Sequence, residues 1–327
     1  MLKCIIKAVC FNHLGTSIFK KVNQLKIATR NSPLALWQAE HVKQRLIQIH
    51  PNLDVELVGI QTEGDRFLEA PLVAVGGKGL FIKELEQSLL DNKADIAVHS
   101  MKDVTIDLPE KLILPVILKR EDARDVLISR KYGSLKNMAE GSIVGTSSLR
   151  RQSQIRAIRP DLELKDLRGN VGTRLRKLEN NEYDAIILAA AGINRLGLSE
   201  IITEYIPRTE LLPAIGQGAI GIECRLNDSD VLDLISPLND HETALCVQTE
   251  RSFSARLYGG CQLPIAGHAS ISGNEIKLVG LVARLDGSEL IISEHKGNIN
   301  ETDAIGITLA ESLLERGAGE ILKELVH

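Results

Sequence analysis

The feature that most constrains the fold is an alternation of apolar strands and amphipathic helices that begins at Lys26. A strand through Ile27 is followed by Ser32 and Pro33, which suit the cap and the first position of a helix. The apolar positions of that helix recur every three or four residues and are Ala35, Ala39, Val42, Leu46 and Ile49. This spacing predicts one buried stripe.

The alternation continues through a second series between residues 142 and 188 and predicts parallel sheets with crossover helices. Beyond about Pro237 the pattern changes. A helix from Glu242 to about Ala255 leads into strands separated by Ser272-Gly273-Asn274 and by Asp286-Gly287, which are hairpin signals. Helices near residues 303–316 and 320–325 complete what we predict to be a small α+β domain.

Size and charge restrict the class of protein. A chain of 327 residues suggests two or three domains, and a net charge of -4 argues against a protein that coats nucleic acid or a membrane. The five cysteines are odd in number and form no C-x-x-C pair, which argues against a disulfide framework and a zinc site. No apolar run has the length of a membrane span. We therefore expect a cytoplasmic protein with no bound metal.

Residues 1–25 differ from the rest because they carry lysines but no acidic residue and only scattered apolar residues. The segment lacks arginine, a long apolar stretch and a small-residue cleavage site, so it makes a poor targeting peptide. We expect a disordered N-terminal extension, or upstream sequence included by a wrongly chosen start.

Two glycine motifs suggest nucleotide or phosphate binding, but their context is wrong. Residues 216–221 match G-x-G-x-x-G, yet strand-like alternation at Ile220, Ile222 and Cys224 follows where the dinucleotide fingerprint needs a helix. Residues 76–79, Gly-Gly-Lys-Gly, lack the Ser or Thr that a phosphate loop requires. They suit an anion-binding loop or a flexible one. Cys224 and Cys246 lie in apolar patterns and are expected in the core.

The strongest electrostatic feature is residues 145–177, with nine basic residues against three acidic ones. Thr146, Ser147 and Ser148 stand where a strand passes into a helix, so hydroxyls and free N–H groups meet just before Arg150 and Arg151. Such a corner suits carboxylate or phosphate, and arginine favours two-point contacts with carboxylates. One alternative is a solvated basic helix face, which would account for Arg156, Arg159, Arg176 and Lys177. The other is a nucleic-acid site, which the net negative charge of the protein and the absence of aromatic residues from this segment disfavour.

Two further stretches carry chemical groups. Lys102 and Asp103 follow the apolar strand Ile96–Val98, at the sheet edge where ligands bind in such folds, although a surface ion pair is the simpler interpretation of the two alone. Cys261 follows Gly259 and Gly260 and precedes Pro264, which predicts a thiol on a loop. By itself this cysteine is either reactive or merely a free thiol in a turn.

Together these stretches resemble the porphobilinogen deaminases, also called hydroxymethylbilane synthases. The matching segments follow the family order from residue 26 onward and are residues 26–36, 75–81, 97–103, 145–151, 167–174, 213–218 and 259–262. The resemblance implies two α/β domains like those of periplasmic binding proteins, residues 26–118 with 219–237 and residues 119–218. It also implies a C-terminal α+β domain, residues 238–327, that carries the cofactor cysteine.

The resemblance implies a transferase that condenses four porphobilinogen molecules into hydroxymethylbilane, for heme and other tetrapyrroles. Its implied cofactor is a dipyrromethane joined by a thioether to Cys261, and its implied catalytic carboxylate is Asp103. Its partners would be porphobilinogen and the growing polypyrrole chain. We expect no nucleic-acid or membrane partner, and we expect the protein to be a monomer. The residues implied to contact carboxylates are Arg30, Ser32, Lys78, Lys102, Ser148, Arg150, Arg151, Arg168, Arg174 and Arg195, with Thr146 and Ser147 added through the same loop.

Two positions depart from the family pattern. Ala74 stands where several members have lysine, so Lys78 is expected to carry more of the anion contact. Lys26 stands where arginine is frequent, which keeps the charge and loses the forked geometry. The competing hypothesis is a binding or sensing protein for anionic solutes, which would need the two α/β domains but not the domain that carries Cys261.

Overall fold

The computed structural model describes residues 23–66, 82–257 and 263–325. Its strands are β1 (Gln24–Arg30), β2 (Asp54–Ile60), β3 (Ile96–Ser100), β4 (Leu112–Ile117), β5 (Asp125–Ser129), β6 (Ile143–Gly145), β7 (Glu163–Lys165), β8 (Ala185–Ala189), β9 (Glu204–Tyr205), β10 (Ile220–Arg225), β11 (Ile265–Ser272), β12 (Glu275–Ala283) and β13 (Leu290–Asn298). Its α-helices are α1 (Pro33–Ile49), α2 (Glu63–Arg66), α3 (Lys83–Leu90), α4 (Leu149–Ile158), α5 (Val171–Glu179), α6 (Ala190–Arg195), α7 (Ser229–Ile235), α8 (His241–Arg256), α9 (Thr302–Leu313) and α10 (Gly319–Lys323).

The first sheet has the strand order β2-β1-β3-β10-β4 and is covered on both faces. Leu25 and Ile27 of β1 pack with α1, whereas Ala28 packs with α3 on the opposite face, as the two-residue period of a strand requires. Helix α1 begins as predicted, because the Ser32 hydroxyl accepts a hydrogen bond from the Ala35 amide at 3.3 Å. Ile49, predicted to be buried, is 40% exposed in the last turn of α1.

The second sheet has the order β7-β6-β8-β5-β9 and the same two-faced packing. Leu127 and Ile187 contribute to the core on one face, and Val126 and Ile186 contribute to the core on the other. Both sheets are mixed, whereas the strand and helix alternation predicted parallel ones: β10 is antiparallel to β3 and β4, and β5 is antiparallel to β8. These reversed strands are the first ones after the chain passes from one sheet to the other.

Two crossing segments join the α/β domains. The first crossing segment is residues 118–124, between β4 and β5, and the second is residues 206–219, between β9 and β10. They run side by side, because Leu118 donates its amide hydrogen to the Ile220 carbonyl at 2.9 Å and Glu121 donates to the Gly218 carbonyl at 3.0 Å. Strand β10 begins at Ile220, within the glycine motif of residues 216–221, so the motif opens no helix.

The C-terminal domain is a three-stranded antiparallel sheet, β11-β12-β13, whose core side packs on α8 and α9 around Phe253. Its predicted hairpins are present, with Gly273 and Gly287 at positive φ values of 59° and 76° in the turns. The fold is therefore two α/β domains and a small α+β domain, as predicted. The residue boundaries of the three domains remain a prediction.

Among the described residues, none of the helices combines the length and the apolar character needed to cross a membrane. No group of three or more His, Cys, Asp or Glu side chains in the described ranges is arranged to hold a metal ion. Cys224 and Cys246 are buried free thiols, and burial raises the pKa of each to about 12. The sequence prediction that these two cysteines belong to the core is confirmed.

Candidate active site

A short turn at the end of β3 presents Lys102 and Asp103. The strand itself is buried, and a single 3-10 turn, Met101–Asp103, follows it. Two contacts fix this turn: the Met101 amide donates to the Ala219 carbonyl at 3.0 Å, and the Gln38 amide group donates to the Ser100 hydroxyl at 2.9 Å. Lys102 and Asp103 are half-buried there.

Two basic side chains, those of Lys102 and Arg174, interact electrostatically with the Asp103 carboxylate. Burial lowers the pKa of Lys102, Asp103 opposes that effect, and Arg151 and Arg174 add to it. Burial likewise lowers the pKa of Arg174 to about 10, with Arg151 and Arg168 adding to the shift and Asp103 opposing it. These interactions bring residues from the turn after β3, from α4, and from α5 and the loop before it into one electrostatic cluster.

Arg174 owes its position to the turn before α5. Asn170 caps that helix by accepting the Thr173 amide hydrogen at 2.9 Å, and the Arg174 Nε donates to the Gly169 carbonyl at 2.7 Å. Gly169 has a φ of 108°, which favours glycine, and a Cβ there would lie 2.7 Å from the Thr173 methyl carbon. Within the described ranges, the Arg168 guanidinium has no hydrogen bond or ion pair, so it can contact an anion.

The corner between β6 and α4 uses its hydroxyls partly for itself. The Ser147 hydroxyl donates to the Leu167 carbonyl at 3.1 Å and accepts the Leu167 amide hydrogen at 3.0 Å, which joins the corner to the loop before α5. Thr146 is buried, and its hydroxyl accepts the Ser148 amide hydrogen at 3.3 Å. The Ser148 side chain makes no cap hydrogen bond and is therefore the hydroxyl of this corner best placed for a ligand.

Arg150 and Arg151 are buried and share the carboxylate of Asp125. Arg150 Nη1 lies 2.8 Å from Asp125 Oδ2, and Arg151 Nη2 lies 2.7 Å from Asp125 Oδ1. Burial by itself would raise the pKa of Asp125, but the two guanidinium groups outweigh burial and hold that pKa below its ordinary value. The sequence analysis did not select Asp125. The available signal was an acidic residue at the head of the apolar run Val126–Ile128.

The remaining sequence candidates lie around α1 or outside the described residues. Arg30 ends β1, and Arg195 at the end of α6 donates to the Gly218 carbonyl at 2.7 Å with its guanidinium 5.8 Å from the Trp37 ring centroid. Lys26 lies 3.9 Å from Glu56 on the surface. The candidates that fall outside the described residues are Lys78, Ala74, Cys261 and most of the N-terminal extension, residues 1–22.

The two known family models that match this chain cover most of it. The model of the porphobilinogen deaminase dipyrromethane cofactor-binding domain matches residues 25–233, and the model of the porphobilinogen deaminase C-terminal domain matches residues 244–315. The chain belongs to the porphobilinogen deaminase family. As in other members of that family, tetrapyrrole synthesis is its field of chemistry and porphobilinogen is the implied substrate.

Solved structures with similar folds include two bacterial binding proteins. A putative methionine-binding lipoprotein from Bacillus subtilis has 12% identity and a TM-score of 0.41, over 65% of this chain and 90% of that one. The periplasmic aliphatic sulphonate binding protein from Escherichia coli has 13% identity and a TM-score of 0.41, over 71% of this chain and 70% of that one. Methionine and sulphonates are named for those proteins, and nothing about the ligand of this deaminase follows from them.

The charges of the deaminase site fit an anionic, carboxylate-bearing cofactor. The cluster holds more cations than anions: Lys102, Arg150, Arg151, Arg168 and Arg174 against Asp103 and Asp125. The Arg150 Nε is buried without a hydrogen-bond partner among the described residues. Because surplus positive charge and an unpaired polar group are costly when buried, a bound carboxylate would stabilise this arrangement.

The domain that carries Cys261 contacts the segment after Asp103. Arg251 of α8 donates to the Thr105 carbonyl at 2.7 Å and to the Ile106 carbonyl at 3.1 Å. Helix α8 ends at Arg256, and Cys261 follows five positions later. The helix that precedes Cys261 in the sequence is therefore bound to the segment that follows Asp103.

Proposed function

We propose that this deaminase condenses four porphobilinogen molecules in sequence and releases hydroxymethylbilane by hydrolysis. The observation that carries the proposal is the half-buried Asp103 carboxylate just after β3, which interacts with Lys102 and Arg174, while Arg151 interacts in turn with both of those cations. The proposed primer is a dipyrromethane held by a thioether to Cys261. When bound, it supplies the pyrrole carbon at which the first new C–C bond forms, and it keeps the growing chain attached.

The basic cluster accounts for binding. Each porphobilinogen brings an acetate and a propionate group, and Arg168, Arg174 and Lys102 would contact these carboxylates, with the Ser148 hydroxyl as a neutral donor. Arginine gives two-point contacts with a carboxylate, and these are stronger than neutral hydrogen bonds. Because Lys102 and Arg174 are partly shielded from water, water competes less with an anion for their charges, and the attraction to that anion is stronger.

Asp103 accounts for the chemistry. Porphobilinogen carries an aminomethyl group that is protonated to an ammonium ion, and a carboxylate beside it would hold that cation. When the C–N bond breaks, its electron pair leaves with nitrogen as ammonia and the pyrrole ring keeps a delocalised positive charge. Asp103 would stabilise this charge electrostatically until a pyrrole α-carbon forms the new C–C bond with the methylene carbon, and it would then accept the proton that this α-carbon loses as its ring regains aromaticity.

Intact-mass spectrometry of the purified full chain tests the attachment of the primer. We expect the wild-type mass to exceed the sequence mass by two linked pyrrole units and Cys261→Ser to show the unmodified mass. Cys246→Ser is the matched control, since Cys246 is buried with a pKa raised to about 12 and should keep the addition. A wild-type protein without added mass would favour the anionic-solute-binding function, and an addition that persists in Cys261→Ser would refute the attachment site.

Asp103→Asn tests the catalytic carboxylate. We expect porphobilinogen consumption to fall by about a hundredfold to ten-thousandfold, the range for a positioned acid–base group, with the circular dichroism spectrum unchanged. Asp107→Asn, an exposed carboxylate in the same segment, should consume porphobilinogen at the wild-type rate. Wild-type turnover in Asp103→Asn would remove Asp103 from the mechanism.

A further inference from the structure

We infer that Asp125 is a positioning residue. It fixes the guanidinium groups of Arg150 and Arg151 in α4 and couples them to the two crossing segments. This inference rests on the proposed function only for the substrate that the cluster binds. The sequence motifs contain Arg150 and Arg151 but not the carboxylate that holds them. Asp125 therefore acts through Arg150 and Arg151, without contacting the reacting atoms itself.

The geometry is that of one carboxylate shared by three donors. Arg150 Nη1 donates to Oδ2 at 2.8 Å, Arg151 donates to Oδ1 from Nη2 at 2.7 Å and from Nε at 3.1 Å, and Gln217 Nε2 donates to Oδ1 at 3.0 Å. The exposed fractions are 0% for Asp125, 4% for Arg150, 6% for Arg151 and 1% for Gln217. With water excluded, these bonds fix the direction of each guanidinium group.

Carbonyl groups complete the arrangement from elements far apart in sequence. Arg150 Nη1 also donates to the Leu212 carbonyl at 2.7 Å, and Arg151 Nη1 donates to the Ile187 carbonyl at 2.9 Å. Gln154 of α4 accepts the Leu212 amide hydrogen at 2.7 Å. Helix α4 is thus bound to the second crossing segment through both Arg150 and Gln154.

Asp125 also bridges the first crossing segment to the second. It is the first residue of β5, directly after residues 118–124, and its partner Gln217 donates as well to the Ala123 carbonyl at 2.6 Å. Any rotation of one α/β domain against the other must change the backbone of the crossing segments, because they alone carry the described chain between the two sheets. The position of the guanidinium groups is therefore linked to the relative position of the domains.

The charge balance explains why one carboxylate for two guanidinium groups suits this site. One positive charge is left over, and Arg151 lowers the pKa of both Lys102 and Arg174, whereas Asp125 raises that of Lys102. Asp125 thus moderates repulsion within the cluster and leaves a net attraction for an anion. Removing the Asp125 charge should therefore make the positions of Arg150 and Arg151 less fixed. It should weaken the binding of porphobilinogen more than it slows the bond-breaking step.

Steady-state kinetics and hydrogen–deuterium exchange of the full chain test the inference in two variants, Asp125→Asn and Gln217→Met, and in the control Asp184→Asn. Asp184 also holds part of the second sheet, by accepting the Ile143 amide hydrogen at 2.9 Å and pairing with Lys131, but it touches neither crossing segment. In Asp125→Asn we expect the KM for porphobilinogen to rise roughly tenfold to a hundredfold, as for the loss of charge-assisted hydrogen bonds, while kcat changes less than threefold.

Exchange supplies a readout that does not depend on bilane formation. Residues 118–124 and 206–219 should exchange at least about tenfold faster in Asp125→Asn, with the same direction in Gln217→Met, and at the wild-type rate in Asp184→Asn. If Asp125→Asn does not fold, Gln217→Met decides, because it removes the link without leaving a buried charge. Wild-type exchange of both segments in the folded variants would overturn the inference, as would a fall in kcat at constant KM. If the wild-type protein forms no bilane, the proposed function is refuted, but the exchange result still tests the inference.

Discussion

At the scale of single residues, Glu86 lies in a buried acidic cluster on the α3 side of the first sheet. The His99 Nε2 lies 2.9 Å from Glu223 Oε2, and both side chains are almost fully buried. Burial and then Glu223 raise the pKa of Glu86 to about 7, while His99 and Lys83 oppose the shift. Oε1 of Glu86 and Oε1 of Glu223 have no hydrogen-bond partner among the described residues.

This cluster predicts how stability depends on pH. The folded protein holds a proton on Glu86 more tightly than the unfolded chain, whose pKa is near 4.5, so stability should fall as pH rises from about 4.5 to about 7. Glu86→Gln replaces the carboxyl with a neutral group of the same shape. We expect it to raise the free energy of unfolding at pH 8 by at least about 1 kcal/mol and to change it less at pH 5.

Urea denaturation at the two pH values measures this difference. Glu110→Gln, which removes an exposed carboxylate next to β4, should shift stability equally and slightly at both. A Glu86→Gln variant that loses stability at pH 8 would show that the ionised carboxylate is favourable in the fold.

At the scale of elements, α4 is a helix of polar composition that tertiary contacts bury. Its side chains from Arg150 to Ile155 are all buried, although most are charged or polar. The solvated-face interpretation is wrong for two of its basic residues: Arg156 donates to the Leu285 carbonyl of the C-terminal domain at 2.6 Å, and Arg159 donates to the Leu135 and Met138 carbonyls. Arg176 of α5 is exposed, as that interpretation requires.

At the scale of the whole molecule, the crossing segments also hold the C-terminal domain. Arg120 of the first segment forms a two-point ion pair with Glu250 of α8, at 2.7 and 3.0 Å, and Glu250 accepts the Gly216 amide hydrogen of the second segment at 2.7 Å. Glu250 also lies near His268, whose pKa burial lowers to about 4, so no protonated histidine replaces Arg120 at neutral pH. All three domains therefore meet at these segments.

Arg120→Met should accordingly destabilise the protein by about 3–5 kcal/mol, since it leaves the buried Glu250 carboxylate without its partner. Adding Glu250→Gln should recover much of that loss, because the unpaired charge is removed. The control is Arg284→Met, which breaks partly exposed ion pairs and should cost no more than about 1 kcal/mol. Urea denaturation at pH 7 measures all three, and equal losses in Arg120→Met and Arg284→Met would contradict the central role of the Arg120 pair.

Much of the fold was predictable because its signals are local. The Ser32 cap and the buried Ala39, Val42 and Leu46 of α1 are as predicted, and so are both hairpins of the C-terminal domain. Strand direction was not predictable in the same way. The reversed orientation of β5 and β10 arises when the chain passes between domains, and no periodicity within a strand records that passage.

The sequence by itself determined the family, the α/β and α+β organisation and the chemical groups of the site, because motifs, caps and apolar periods depend on neighbouring residues. Only the tertiary structure decided how those groups are used. It showed that Arg150 and Arg151 are held by Asp125 and that Ser147 binds the Leu167 backbone. It also placed Lys102 and Arg174 with Asp103 in one cluster. Such contacts join residues tens of positions apart, where burial and charge pairing, not local pattern, set the energy.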